Sequence, residues 1–360
     1  MPEQLESYKC PSCGAPLRYT TTDKMTCTSC GNAYEIEAIE NMLPESDGEK
    51  GFDWGDYKKQ FRQTEAKLED RDVYICRSCG AAIETDSTTA ATRCPYCDNE
   101  VLAKDRLTGS LRPNGVIPFR IDKDEAVRRV KAHFRHKPLL PRSFLAMHKL
   151  SRIQGVYVPF WLFDADVRGD VDFDGTTVRH YSDKNYNYTE TKHYLVQVSG
   201  QMRFSRIPVD GSEKMDDDLM DALEPFDYSG LREFDAAYLS GFLADRFDED
   251  PDKSLPRASE RMEDGVANVL RAHADGDYVT LTPKRSRFDL SNTSVQYVLL
   301  PVYLLNLEFN KKKYRFAVNG QTGKVVGELP VSKAISRLYF GGIASGVAAL
   351  GTFLAYLIFR

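Results

Sequence analysis

The chain has 360 residues, enough for two or three domains at about 100–200 residues each. Its 42% apolar and 28% charged residues are ordinary globular values and exclude a fibrous, collagen-like or wholly disordered chain. Forty-eight basic against 53 acidic residues leave a net charge of −5, which excludes a molecule that seeks phosphate through its overall charge. Within that average, all eight cysteines fall in the first 97 residues, and the 22 residues before Arg360 carry no charge.

The cysteines form four CxxC pairs. Cys10–Cys13 and Cys27–Cys30 are separated by 13 residues, and Cys76–Cys79 and Cys94–Cys97 by 14. Each CxxC places two sulfurs on one tight turn, and a hairpin of about a dozen residues brings a second turn opposite the first. Gly14, Gly31 and Gly80 follow three of the pairs, where the backbone passes close to sulfur, and Asp98 follows the fourth. This predicts two four-cysteine zinc ribbons, residues 1–40 and 72–106, holding two structural zinc ions. With four thiolates each, the sites keep no open position for catalysis. The N-terminus, Met1-Pro2-Glu3-Gln4-Leu5-Glu6, does not resemble a secretory signal, which disfavours disulfides.

Neither ribbon is basic. Residues 8–40 set Lys9, Arg18 and Lys24 against Asp23, Glu35, Glu37 and Glu40, and residues 72–104 set three cations against five carboxylates. Without a basic surplus to displace counterions from phosphate, nucleic-acid binding is disfavoured. Tyr19, Tyr34 and Tyr96 serve either to cover the metal knuckles or to stack on bases.

Residues 41–71 read as a charged linker, with a short solvated helix over residues 58–70. Residues 107–332 read as a cytosolic α+β body. Asp122-x-x-Glu125 is a capping-box-like start, and Val127, Val130 and Phe134 mark one helix face. The opposite face carries Arg128, Arg129, Lys131 and Arg135. The run from Val156 to Phe163 is too apolar for a surface strand, and Pro159 predicts an edge or a strand start. Residues 171–175 alternate and end in a turn at Gly175, and residues 194–207 alternate again. Residues 216 to about 275 read as helical, broken near Pro225 and Pro251. Leu300–Leu305 then echoes Val158–Phe163 when aligned on Pro301 and Pro159. Tyr314–Val318, Asn319–Gly323 and Lys324–Gly327 spell a β-hairpin. The echo predicts either a duplicated helix-plus-antiparallel-sheet unit or two unrelated proline-aromatic strands.

Leu338–Phe359 is long enough to cross a membrane, at about 33 Å of helix. Tyr339 and Tyr356 stand near its ends. Lys324, Lys333 and Arg337 precede it and only Arg360 follows, so residues 333–360 read as a single-pass tail anchor with the N-terminal bulk in the cytoplasm. Gly342, Ser345 and Gly346 form a small-residue GxxxG face suited to helix packing in the bilayer, and so to an oligomer.

No catalytic signature is present. Gly323-Lys324 fails as a phosphate loop, because Val318 replaces its first glycine and Val325 its Ser or Thr. Of the six histidines, His133, His136, His148, His180, His193 and His273, only His133 and His136 are close in sequence, and surface histidines explain that pair better than a metal site. The run Asp216-Asp217-Asp218 reads as a helix start. All cysteines belong to the ribbons, so a non-enzyme is expected.

The order of ribbon, linker, ribbon, α+β body and terminal membrane helix resembles a family of bacterial membrane-anchored zinc-ribbon proteins. Residues 155–164 and 301–328 carry the more specific part of the likeness. Members are labelled transcription-factor-IIB-type zinc-ribbon proteins, or mislabelled as primosomal-helicase-like; this chain has no phosphate loop for an ATP motor. The resemblance implies association with SPFH/flotillin-like and phage-shock-type membrane-stress proteins. The expected function is an adaptor or scaffold that recruits or organises membrane-protein partners on the cytoplasmic face of the bilayer. The alternative is a membrane-tethered nucleic-acid-binding protein of replication or transcription type.

Overall fold

A computed structural model describes residues 3–5, 10–12, 15, 17–20, 24–27, 29–36, 71–76, 82–86, 89–93, 100–102, 112–135, 137–145, 150, 153–274, 276 and 278–358. The linker helix expected over residues 58–70, His136 and His148 lie outside them. Strands β1 (Glu3–Leu5), β2 (Leu17–Thr20), β3 (Lys24–Cys27) and β4 (Ala33–Glu35) open the chain. Next come β5 (Arg71–Cys76), β6 (Ala82–Asp86), β7 (Thr89–Arg93), β8 (Glu100–Leu102) and β9 (Gly115–Val116). Helices α1 (Lys123–Arg135) and α2 (Arg142–Leu145) precede two long strands, β10 (Gln154–Ser182) and β11 (Asn187–Asp210). Then follow α3 (Asp217–Ala222), β12 (Arg232–Glu233), β13 (Leu243–Asp245) and α4 (Pro251–Ala274). The chain closes with β14 (Thr280–Phe309), β15 (Lys312–Asn319), β16 (Val325–Gly327) and α5 (Lys333–Ile358). The fold is α+β, with one apolar C-terminal helix.

β10 and β14 are antiparallel neighbours at the centre of the main sheet, and the two proline segments lie against each other, Pro159 opposite Leu299 and Pro301 opposite Tyr157. Pro159 is therefore central, contrary to the edge position expected for it. The reason is an exchange of neighbours. β10 pairs with β13 at Val156–Tyr157 and with β11 from Phe160 onward. β14 pairs with β9 at Val298–Leu299 and with β15 from Val302 onward. Each proline falls in the gap between one neighbour and the next, where no ladder needs its missing N–H. Each proline carbonyl is still used: Gly211 N–H donates to Pro159 O at 2.9 Å and Gly320 N–H to Pro301 O at 2.8 Å.

The run from Val156 to Phe163 is apolar because both its faces are covered. Val156, Val158, Phe160 and Leu162 pack with Val298, Leu300 and Val302 beneath Met220 of α3 and Leu223 at its C-terminal cap. Tyr157, Trp161 and Phe163 join the larger core on the other face. On that side Phe134 of α1 meets Phe316 of β15 at 5.1 Å. The start of α1 is capped as expected, with Glu125 N–H donating to Asp122 Oδ1 at 2.7 Å.

Beyond Phe163, β11, β10 and β14 continue as a three-stranded arm. The odd positions of β10 from Ala165 to Gly175 face inward, and the even ones from Asp164 to Asp174 face solvent. α4 lies on the inward face through Ala258, Met262, Val266 and Leu270, one per turn. Past Thr176 only the β10–β11 hairpin remains, since Thr280 is the last residue of β14 in register with it. At the tip Tyr181 stacks on Tyr188 at 5.1 Å and Arg179 covers Tyr181.

Two expectations fail in this region. Gly175 is not a turn; the turn lies at residues 183–186, and a Cβ at Gly175 would stand 2.8 Å from the Tyr278 ring. Residues 216–275 are not one broken helix. Between α3 and α4 the chain makes short 3₁₀ turns whose N–H groups are capped by Asp227 and Asp235. Those side-chain caps favour single turns over a continued helix.

Gly169 and Gly200 are register partners directly beneath α4. A Cβ at Gly169 would sit 2.6 Å from Val266 Cγ1, and one at Gly200 2.9 Å from Leu270 Cδ2. Gly169→Val is expected to lift α4 off the arm and cost about 1–3 kcal/mol, as overpacking does. A lowered denaturation midpoint for the full chain, with the arm beside α4 opened to limited proteolysis, checks this.

Candidate metal centre

β2, β3 and β4 form a small antiparallel sheet, Leu17 opposite Cys27 and Met25 opposite Tyr34. Cys10 lies just ahead of it, with its N–H bound to Ala15 O at 2.7 Å; Cys27 ends β3 and Cys30 follows on the turn. The Sγ atoms of these three residues all lie within 4.8 Å of one another. Cys10 Sγ and Cys30 Sγ are 3.7 Å apart. Sulfurs arranged tetrahedrally about 2.3 Å from a zinc ion are about 3.8 Å from one another, so this spacing fits a metal site. It is far too long for a disulfide.

The turn suits a thiolate. The N–H groups of Ser29 and Cys30 both point at Cys27 Sγ, each at 3.4 Å. Gly31 takes φ +74° so that its own N–H reaches Cys27 O. These donors stabilise negative charge on sulfur and so favour the metal-binding form. Tyr34 Oη lies 3.4 Å from Cys10 Sγ and 2.6 Å from Ser12 Oγ, and Asn32 Nδ2 donates to Ser12 Oγ at 3.2 Å. Of the two roles the sequence offers Tyr34, covering a metal knuckle or stacking on a base, its contact with Cys10 Sγ fits the first.

The sheet is fastened to the body. Tyr19 N–H donates to Ser240 O at 2.9 Å, and its ring meets Tyr238 edge-on at 5.1 Å. Leu17, Tyr19 and Met25 are buried in the same core as Trp161 and Phe173. A half-open cavity of about 740 Å³ lies at this junction, bounded by Arg18 and Thr20, by Asp122 and Lys123 at the start of α1, and by Phe242 and Tyr303.

Among the described residues this is the one group of cysteines placed to hold a metal. Cys13, Cys79, Cys94 and Cys97 lie outside them, and of Cys76 only the backbone, the last residue of β5, is described. The segment expected as a separate second ribbon is divided between two sheets. β5 and β6 pair with β1, while β7 and β8 join the body's sheet through β13.

Gly342, Ser345 and Gly346 lie on α5 and are exposed; around both glycines nothing stands within 4 Å. Gly323-Lys324 closes the β15–β16 hairpin, with Gly323 N–H on Asn319 O and the Lys324 ammonium on Glu224 O. His133 is half-buried in α1, and burial followed by the Lys137 charge lowers its pKa.

The body's buried charges surround Asp210, at the end of β11. Arg257 of α4 donates to Asp210 Oδ1 at 3.0 Å and to Asp221 Oδ1 at 2.8 Å, and its Nη1 lies 3.0 Å from Asp217 Oδ2. Arg261 grips both oxygens of Glu224 at 2.8 and 2.9 Å. Burial pushes the Asp210 carboxyl up to about 6, against the pull of Arg257. Val209-Asp210-Gly211 occupies the place in its half that Val318-Asn319-Gly320 occupies in the other. That match is legible in the sequence and was not among the expected sites.

A protein of Bacillus subtilis (strain 168) described as "Uncharacterized protein YdjG" is 35% identical to this chain over 352 residues, 97% of this chain and 96% of that protein. No family model and no solved structure matches the chain.

Two outcomes are expected. Cys27→Ser should lower the metal bound per chain by one equivalent by elemental analysis, and should loosen the Tyr19–Tyr238 contact. Asp210 binds its proton more tightly folded than unfolded, so its stabilising share is present at acid pH and lost as pH rises through about 6. The melting temperature should therefore fall between about pH 4 and 6 and level off above, and Asp210→Asn should flatten that slope.

Proposed function

The chain belongs to the same family as this Bacillus protein, and on that footing we propose that it is a non-enzymatic zinc-ribbon adaptor held at the cytoplasmic face of the cell membrane. One observation carries the reading. α5 leaves the body as a helix long and apolar enough to cross a bilayer, and none of its apolar stretch is buried in the protein. Leu338 is 78% exposed and Phe340 76%, values that an aqueous helix would not sustain. A buried C-terminal helix of a soluble domain is thereby disfavoured.

The metal is zinc, bound by four thiolates with Cys13 as the fourth ligand to the first site. A second zinc sits on Cys76, Cys79, Cys94 and Cys97. Both are structural, and both preorganise small rigid surfaces at low entropic cost. Lys324, Lys333 and Arg337 ahead of the span keep the bulk of the chain in the cytoplasm. The thiolate centre suits that reducing compartment. The body is a duplicated helix-plus-sheet unit, a reading supported by the matching neighbour exchange at Pro159 and Pro301. Gly342, Ser345 and Gly346 pack against a second helix in the bilayer. The partners are membrane proteins of SPFH/flotillin-like or phage-shock type, on the strength of the family resemblance.

The test removes residues 338–359 from an N-terminally tagged chain. The truncated chain should move to the soluble fraction and lose its membrane-protein partners, and the full chain should keep those partners after nuclease treatment. Unchanged localisation and partner recovery would overturn the reading. Partners lost on nuclease treatment would move it to the tethered nucleic-acid alternative.

A further inference from the structure

The cations at the root of α5 are supplied by three separate segments, and the fold ties those segments together. Ser332 N–H donates to Leu139 O at 2.9 Å, which fixes the start of α5 to the loop that leaves α1. That loop is held in turn by Lys137 N–H on Phe134 O and Leu140 N–H on Lys137 O. Phe144, in the helix that follows, touches Phe134 at 5.5 Å, Phe309 at 5.4 Å and Tyr314 at 5.8 Å. The last two residues flank the turn between β14 and β15.

Each segment brings exposed positive charge. Lys131, Arg135 and Lys137 lie toward the C-terminal end of α1 and just beyond it. Lys311 lies in the β14–β15 turn and Lys312 and Lys313 open β15, and Lys333 and Arg337 occupy the first turns of α5. Residues 126–145 and 329–337 contain no carboxylate. None of these eight side chains makes an ion pair among the described residues. The nearest acid in register is Glu308, opposite Lys313. By contrast, Arg128 and Arg129, nearer the acidic start of α1, are both neutralised by Glu125 at 2.8 and 2.6 Å.

Lys312 rests over the Tyr314 ring at 5.4 Å. Cations without carboxylate partners, gathered where an apolar helix emerges, are complementary to a bilayer rich in anionic headgroups. We infer that the α1 end, the β14–β15 turn and the root of α5 form an anionic-lipid-binding face, which seats the body on the membrane and fixes its orientation. This rests on the tail-anchor reading above. The chemistry recognised is the phosphodiester of a lipid headgroup, read by charge and not by shape, since the cations are solvent-exposed; Lys313 alone also lines an open pocket, with Asp216, Asp218 and Glu328.

The experiment inserts the full-length chain into vesicles of phosphatidylcholine with about 30% phosphatidylglycerol, extracts it in mild detergent and weighs the lipid it retains. Lys137→Gln, Lys311→Asn and Lys312→Gln are combined in one variant. All three positions are exposed, Asn tolerates the positive φ of residue 311, and Lys333 and Arg337 stay in place to preserve insertion. In the lipid it retains, the wild type should raise the ratio of phosphatidylglycerol to phosphatidylcholine at least about fivefold above that of the vesicle, and the variant less than about twofold, since each near-surface cation is worth about fivefold in affinity. The enrichment should also collapse in about 0.5 M salt. Equal enrichment by both chains, or none by an inserted wild type, would overturn the inference. Failure of either chain to float with vesicles of either lipid would instead remove the tail anchor, and this face with it.

Discussion

The main sheet depends on two prolines placed where a strand changes partners. A proline inside a central strand costs a ladder hydrogen bond, and here the topology removes that cost. β10 and β14 each lose one neighbour and gain another at Pro159 and Pro301. Because the vacated position needs no donor, the strands run on unbroken and remain paired for most of their length. The return strands are then pinned by Gly211 and Gly320, which feed the proline carbonyls. At both glycines a Cβ would strike an aromatic ring system, Trp161 in one half and Phe119 in the other. The same constraint therefore fixes backbone pairing, glycine identity and the placing of the two core aromatics.

Short-range patterns were the legible part. Cys10, Cys27 and Cys30 converge because CxxC spacing and a hairpin leave them little else to do. The α1 cap, the β15–β16 hairpin and the extent of α5 also follow from neighbours in sequence. Readings failed wherever a residue served a distant partner. Gly175 resembles a turn glycine, yet it answers to Tyr278, a hundred residues away in the chain. Tyr238 lies in the 3₁₀ turn Ala236–Leu239 capped by Asp235 and docks β2, and Phe242, beyond that turn, stacks on Phe119. Pro159 was read from its own strand alone, whereas its tolerance depends on where β11 and β13 end.

The candidate metal centre is a structural joint as well as a ligand set. Its sheet shares a core with the body and hydrogen-bonds to it through Tyr19 and Ser240. The binding free energy of a metal held there would therefore be coupled to the packing of the body and not confined to a detachable finger. α1 runs from the cavity at this joint to the loop that holds α5, so one rigid helix of about 20 Å links the sheet that carries Cys27 to the root of α5.

The arm has a mechanical consequence. From Phe163 to Ser182, β10 extends for about 65 Å of strand contour, and a helix braces only its inner part. A rotation of about 5° at the base would carry the tyrosine-bearing tip through about 6 Å, comparable to one turn of helix. The neighbour exchange at Pro159 and the glycine pair beneath α4 both lie at or near that fulcrum. Small repacking there is geared up into displacement at the far end, so the arm works as a lever whose long side is solvent and whose short side is the protein core.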